Sequence, residues 1–333
     1  MISRQKILDF PDLDHRLLEI FSNSPVKNIL ALHIETTGFS RDNSVVFLAG
    51  CLQTDQGQGK WLLKQWLLDD LSAEKELLGA LAEEIRQKNC LLHYNGLQFD
   101  LPFLEKRCAR WEAPVSWRNC GQLDLYRVLR PCQKLLGLEH MRLSDLEKFL
   151  GVPRADGPSG KEYISLFKKY IADGHPDLEE ILLECNRQNL CGLLRVSGAL
   201  AYPSFLQGDF RLEQSQIAQD ALLCSLRLPA ALPRPFSLDC RPKPWAISGF
   251  GRQAQIAFPL ENGCLRMYYP NYKDYCYLPA EDVAIHKSVG AYVDKKNRMP
   301  ATKENCFTRF PCTVDFMQSD GQIEDYIRRC LKL

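Results

Sequence analysis

The sequence predicts an α/β fold, a mixed sheet flanked by helices, followed by a smaller β-rich domain. Three observations carry this. Short apolar runs bounded by Asn, Asp, Gly, Ser or Gln alternate with stretches of helical period through the first 200 residues. Prolines 203, 229, 233, 235, 242 and 244 then punctuate the chain, and beyond them the apolar period becomes two.

Element by element, Ile29 to Ile34 is an apolar run broken only by His33, Val45 to Leu52 is a second, and Trp61 to Leu67 is a third. Each is short enough for a strand of a covered sheet. Leu77, Leu78, Leu81 and Ile85 recur at helical spacing, with Glu74, Lys75, Glu83 and Glu84 mostly on the other side. Cys90 to His93 reads as a fourth strand, Phe103 to Cys108 lies in a helix, and Leu123 to Tyr126 ends a fifth strand. Leu143 to Leu150 is a helix closed by Gly151 and Pro153, and Ser159 to Ile171 and Asp177 to Leu200 are helical. The order β-β-β-α-β-α-β-α implies a mixed sheet with helices on its faces. The proline-rich stretch is read as unable to hold long helices or central strands, which places a boundary between domains 1–205 and 206–333. In the second domain Ala254, Ile256 and Phe258 alternate, Asn262-Gly263 supplies a hairpin turn, and Leu265, Met267 and Tyr269 alternate on the expected return strand.

Composition bounds the function. The 333 residues are 45% apolar and 25% charged, the balance of an ordinary globular chain rather than a disordered, fibrous or membrane-spanning one. No apolar stretch approaches the ~20 residues of a transmembrane helix, and the N-terminal residues resemble no secretory leader, so a cytoplasmic location is expected. Fourteen cysteines lie scattered without a CxxC pair and are read as thiols rather than zinc ligands. A net charge of +1 means that any surface for nucleic acid must be local.

Three segments carry chemistry. Leu32-His33-Ile34-Glu35-Thr36-Thr37-Gly38 ends the first apolar strand, His93-Tyr94-Asn95-Gly96-Leu97-Gln98-Phe99-Asp100-Leu101-Pro102-Phe103 follows the fourth, and Glu184-Cys185-Asn186-Arg187-Gln188-Asn189 lies on the last long helix of the domain. Strand alternation puts positions 33 and 35 on one face, and helix periodicity puts 185 and 189 one turn apart. Together the segments resemble the three motifs of the ribonuclease-H-like DEDD 3′-5′ exonucleases, and more closely the YprB-type proteins, whose motifs read roughly DIETTG, YNGxxFDxPFL and HNRQD.

The resemblance implies a site in which four carboxylates hold two divalent ions and a His or Tyr acts as general base. Carried over residue by residue, the metal positions are His33, Glu35, Asp100 and Asn189, the catalytic acids are Glu35 and Asp100, and Cys185 stands in the general-base place. Only Glu35 and Asp100 keep the acidic type. Mg²⁺ prefers charged oxygen ligands, so Mg²⁺ or Mn²⁺ is expected to bind weakly if the chain is active, and no cofactor is expected otherwise. Hydrolysis is accordingly expected to be weakened or lost. DNA or RNA, single-stranded, is the expected partner and a membrane is not. Thr36, Thr37, Asn95 and Phe99 are the expected strand contacts within the motifs.

Further along, Tyr268, Tyr269, Tyr272, Tyr275 and Tyr277 precede a segment, 286–310, holding six Lys and Arg against Asp294 and Glu304. Lys287, Lys295, Lys296 and Arg298 are candidates for phosphate contact, with the tyrosines either stacking bases or packing a small β-domain. Three functions compete: a nucleic-acid-binding protein on an exonuclease fold, an active metal-dependent 3′-5′ exonuclease re-ligated through His33 or nearby acids, and a protein-interaction scaffold.

Overall fold

A computed structural model describes residues 1–54, 60–114, 117–241 and 243–332. The chain divides into two compact units, Met1–Leu200 and Ala201–Leu333.

The first unit is built from strands β1 (Ile2–Leu8), β2 (Ile29–Thr36), β3 (Val46–Thr54), β4 (Trp61–Leu67), β5 (Cys90–His93) and β6 (Gly121–Asp124). Its helices are α1 (His15–Ser22), α2 (Glu74–Arg86), α3 (Asp100–Trp111), α4 (Leu125–Leu129), α5 (Leu143–Leu150), α6 (Gly160–Asp173) and α7 (Pro176–Val196). The strands pair in the order β1-β4-β3-β2-β5-β6. The first four are antiparallel to their neighbours, and β5 and β6 continue parallel to β2. This is the mixed, helix-flanked sheet expected from the element order. Strand β1 is an addition that the apolar pattern does not reveal. As an edge strand it keeps Ser3 to Lys6 exposed, so it shows no run of buried residues.

Covering both faces explains the long apolar runs of β2 and β3, which are buried almost throughout. The helical spacing read at 77–85 faces inward, with Leu77, Leu78, Leu81 and Ile85 all buried. Each such side chain contributes about 1.5–3 kcal/mol. Phe47 of β3 stacks on Phe167 of α6, ring centroids 4.1 Å apart. A buried ion pair joins α2 and α3. The Glu74 carboxylate accepts from Arg107 Nε at 2.8 Å, from Trp111 Nε1 at 2.6 Å and from the Val46 backbone at 2.9 Å. Helix α5 ends on Gly151 in the left-handed region, φ 71°, as the Gly-x-Pro signal predicts.

The second unit holds α8 (Ala201–Leu206), β7 (Arg211–Ala218), β8 (Ala221–Asp239), β9 (Ala246–Pro259), β10 (Cys264–Tyr268), β11 (Tyr275–Leu278), β12 (Val283–His286), α9 (Lys287–Gly290), β13 (Met299–Pro300), β14 (Phe307–Pro311), α10 (Val314–Met317) and α11 (Asp320–Leu331). Three sheets form, β7-β8-β9, β10-β14 and β12-β11-β13, and the unit is β-rich. Its prolines overturn one expectation: Pro229, Pro233 and Pro235 lie inside β8, a 19-residue strand. They fall past Arg227, where the pairing with β7 ends, so this part of β8 is bonded on one side only. The pairing with β9 is also broken by register shifts at Arg227/Leu232 and Leu232/Phe236. An edge with bulges is where a strand tolerates proline.

The expected hairpin is corrected as well. Asn262 and Gly263 take positive φ, and a Glu261–Cys264 bridge forms. The return strand β10 nevertheless pairs with β14 rather than β9. Leu265 and Tyr268 are its buried residues, so the alternation read at 265, 267 and 269 does not hold. The tyrosines mostly pack: Tyr268 is buried, Tyr269 stacks on Tyr275 at 4.4 Å, and Tyr272 and Tyr277 join them around Ala284, Ala301 and Cys306. Among the described residues no helix is long and apolar enough to cross a membrane, and all fourteen cysteines are free thiols.

Candidate active site

Strand β2 delivers His33 and Glu35 on the same side, as alternation requires. The N-terminus of α3 delivers Asp100, which is buried and accepts a hydrogen bond from the Ile34 backbone N–H at 3.1 Å. Helix α7 delivers Asn189. The structure therefore brings positions 33, 35, 100 and 189 together, two strand residues meeting two helix residues. Asn186, one turn from Asn189's face, is fully buried, donates to the His33 carbonyl at 3.4 Å and accepts from Gln65 at 2.9 Å, which seats α7 on the sheet.

The centre of this cluster is the His33 imidazole. Its Nε2 lies 3.2 Å from Glu35 Oε1 and its Nδ1 lies 3.3 Å from Asp100 Oδ1. Burial alone lowers the pKa of the ring. The Glu35 charge, hydrogen bonds to Asp100 and Glu35, and the Asp100 charge overcome this and push it up to about 10. The two carboxylates thus favour the protonated ring, whose Nε2 also lies 3.2 Å from Asn189 Nδ2.

Asn189 is committed too. Its Nδ2 donates to Glu35 Oε1 at 3.1 Å, and its Oδ1 accepts from Arg154 Nη2 at 2.7 Å. The same guanidinium donates through Nη1 to the buried Glu147 at 2.8 Å. Gly192 makes room for that carboxylate, because a Cβ there would lie 1.8 Å from Glu147 Oε1. Arg154 and Glu147 escape sequence reasoning. They come from the end of α5 and the loop after it, and no periodicity or spacing ties them to α7.

Cys185, in the general-base place, is half-buried. Burial and the Glu35 charge push its thiol up, against the pull of Arg154. A protonated thiol does not accept a proton from water at neutral pH. The expected strand contacts have structural duties. Thr36 Oγ1 donates to the Gly38 carbonyl at 2.8 Å, and Thr37 Oγ1 accepts from the Val45 N–H at 2.9 Å, closing the β2–β3 loop. Asn95 takes positive φ and donates its N–H to Asp124 at 2.8 Å. Asp124 also caps α4 through the Tyr126 N–H. The Phe99 ring packs on Phe103 and against Phe39, whose centroid lies 6.2 Å away. Phe39 is 90% exposed on the β2–β3 loop. Lys287, Lys295, Lys296 and Arg298 belong to the second unit and are taken up below.

At these positions the Glu35 and Asp100 carboxylates face the His33 ring, and the Asn189 carbonyl oxygen faces the Arg154 guanidinium. Among the described residues no group of three His, Cys, Asp or Glu is arranged to hold a metal.

Residues 30–201 match the family model of the RNase_H superfamily. The match spans more than half of the chain, and the chain belongs to that superfamily. Among solved structures it is similar to the family B DNA polymerase of the hyperthermophilic archaeon Pyrobaculum calidifontis, at 14% identity and a TM-score of 0.41 over 54% of this chain. That match spans a quarter of the polymerase's own length. It is also similar to ExoI in its complex with SSB-Ct, at 13% identity and a TM-score of 0.31 over 91% of this chain and 71% of that one. The zinc-bound ExoI–ssDNA complex of E. coli matches at 13% identity and a TM-score of 0.31 over 91% and 69% of the two chains. No curated protein matches the chain.

Proposed function

We propose that this chain is a nucleic-acid-binding member of the RNase_H superfamily in which phosphodiester hydrolysis has been lost. The observation that carries the reading is the position of His33, with one ring nitrogen on Glu35 and the other on Asp100. Two-metal hydrolysis needs carboxylates open to two ions about 4 Å apart. Here the space between the acids is filled by a side chain of the protein itself.

The same arrangement supports strand binding without metal. Two carboxylates beside one imidazolium leave far less negative charge than four carboxylates would, so a phosphate meets less repulsion on approach. The exposed Phe39 ring, buttressed by Phe99, offers a face on which a terminal base can stack. Cys185 as a protonated thiol removes the base that hydrolysis needs.

The test is binding of labelled single-stranded DNA and RNA in excess EDTA, followed by fluorescence anisotropy. The reading expects affinity that is unchanged when Mg²⁺ replaces EDTA at constant ionic strength. Affinity that appears only with a divalent ion would overturn it.

A further inference from the structure

The sheet β12-β11-β13 of the second unit carries a loop, residues 287–298, that is fixed in place. Its backbone is tied by Ala291 N–H to Lys287 O at 2.9 Å, Tyr292 N–H to Val289 O at 3.1 Å, Val293 N–H to Gly290 O at 3.1 Å and Asn297 N–H to Asp294 O at 2.9 Å. Gly290 is buried at the base of the loop. A Cβ there would lie 3.2 Å from Cys276 Sγ and 3.5 Å from Arg298 Nη1, so the turn packs closely on β11 with Arg298 beside it.

What this fixed loop presents is unusual for a packed surface. Tyr292, in the turn that follows α9, is 92% exposed and Val289 on α9 is 57% exposed, and the Tyr292 N–H bond to the Val289 carbonyl keeps the two close along the chain. Lys287, Lys295 and Lys296 flank them, all exposed. From 283 to 303 the chain carries five Lys and Arg against the single acid Asp294. Among the described residues these three lysines take part in no ion pair. Some arginines of the same unit, by contrast, are paired: Arg266 and Arg309 bind Glu261 and Asp282, Arg328 binds Glu324, and Arg241 binds Asp239. An unpaired cationic rim around an exposed aromatic is complementary to a chain of anions that also carries flat bases.

We propose that this loop is a second docking platform for single-stranded nucleic acid, with Tyr292 stacking one base and Lys287, Lys295 and Lys296 holding the flanking phosphates. It rests on the nucleic-acid reading above and adds a second point of contact to it. The tyrosine that stacks is not one of the alternating tyrosines of β10 and β11, which are spent on packing.

The test uses the whole chain and labelled 12-residue oligonucleotides of DNA and RNA, with anisotropy read across a KCl series. Tyr292→Ala is expected to weaken binding about 5- to 150-fold, the range for one lost base–aromatic stack, while Tyr292→Trp keeps it. The triple change Lys287→Gln, Lys295→Gln, Lys296→Gln is expected to flatten the log–log salt slope by about 2, at about 0.7 per phosphate contact on a single strand. Heparin, a polyanion without bases, should respond to the triple change and not to Tyr292→Ala. If both variants, shown to be folded by circular dichroism, bind the oligonucleotides as the parent does while Phe39→Ala binds them weakly, the platform is overturned and the nucleic-acid reading stands. A parent chain that binds neither oligonucleotide but binds phosphatidylserine vesicles overturns both.

Discussion

Replacing His33 with glutamine keeps a planar polar side chain of similar reach and removes the charge that lies between Glu35 and Asp100. The rise of the imidazole from 6.5 to about 10 in the folded chain, at about 1.4 kcal/mol per pH unit, sets a ceiling of about 5 kcal/mol on what that charge contributes. The side chain is 30% exposed, so water screens the pair and about 2 kcal/mol is expected. The sign follows from the direction of the shift. Below about pH 6.5 folded and unfolded chains both carry the proton, and the contribution is complete. It declines as pH rises from there and is gone once the pH passes about 10. Urea unfolding of the parent and of His33→Gln, followed by tryptophan fluorescence, should therefore show a stability gap of about 2 kcal/mol near pH 6 that closes toward pH 10. A gap that stays constant over this range would refute the imidazolium, as would a His33 ring that titrates near 6.5 by NMR.

Other consequences are accessible to similar measurements. Arg107→Met leaves the fully buried Glu74 without its cation and should cost about 3–5 kcal/mol, whereas pairing it with Glu74→Leu should recover most of that in the same unfolding assay. Gly192→Ala drives a Cβ into Glu147 and should lower stability by about 1–3 kcal/mol, read as a fall in Tm. The triple change His33→Asp, Cys185→His, Asn189→Asp supplies the missing acids and base and, with Arg154 then free to face a carboxylate, should confer Mg²⁺-dependent release of nucleotides from a labelled single strand. Each single change should do little, because residues that act as a unit fail together.

The sheet was legible because it rests on periodicity, whereas the four central positions came from the resemblance of three motifs, for which periodicity accounts only for two spacings. A period of two fixes 33 and 35 on one face of β2, a helical period fixes the position of 189 relative to 185, and the long apolar runs at 29–34 and 45–52 mark strands covered on both sides. Arg154 and Glu147 were not legible, since a loop arginine reaching α7 leaves no pattern along the chain. The prolines of β8 misled because a proline's constraint depends on whether its side of the strand is bonded, which local sequence does not state. The tyrosines at 268–277 have the same composition whether they pack or stack. Tyr292 lies outside their alternation, and its exposure, which the sequence does not state, is what distinguishes it.

The central claim, that a side chain of the protein has taken the place of the metals, is met most directly by incubating the unmodified chain with labelled single-stranded DNA and RNA in Mg²⁺ or Mn²⁺, beside a Glu35→Ala control. The account predicts intact substrate in every lane while anisotropy reports a bound strand. Mg²⁺-dependent shortening of the strand from its 3′ end, abolished by Glu35→Ala, would contradict it and mean that the site works with two carboxylates.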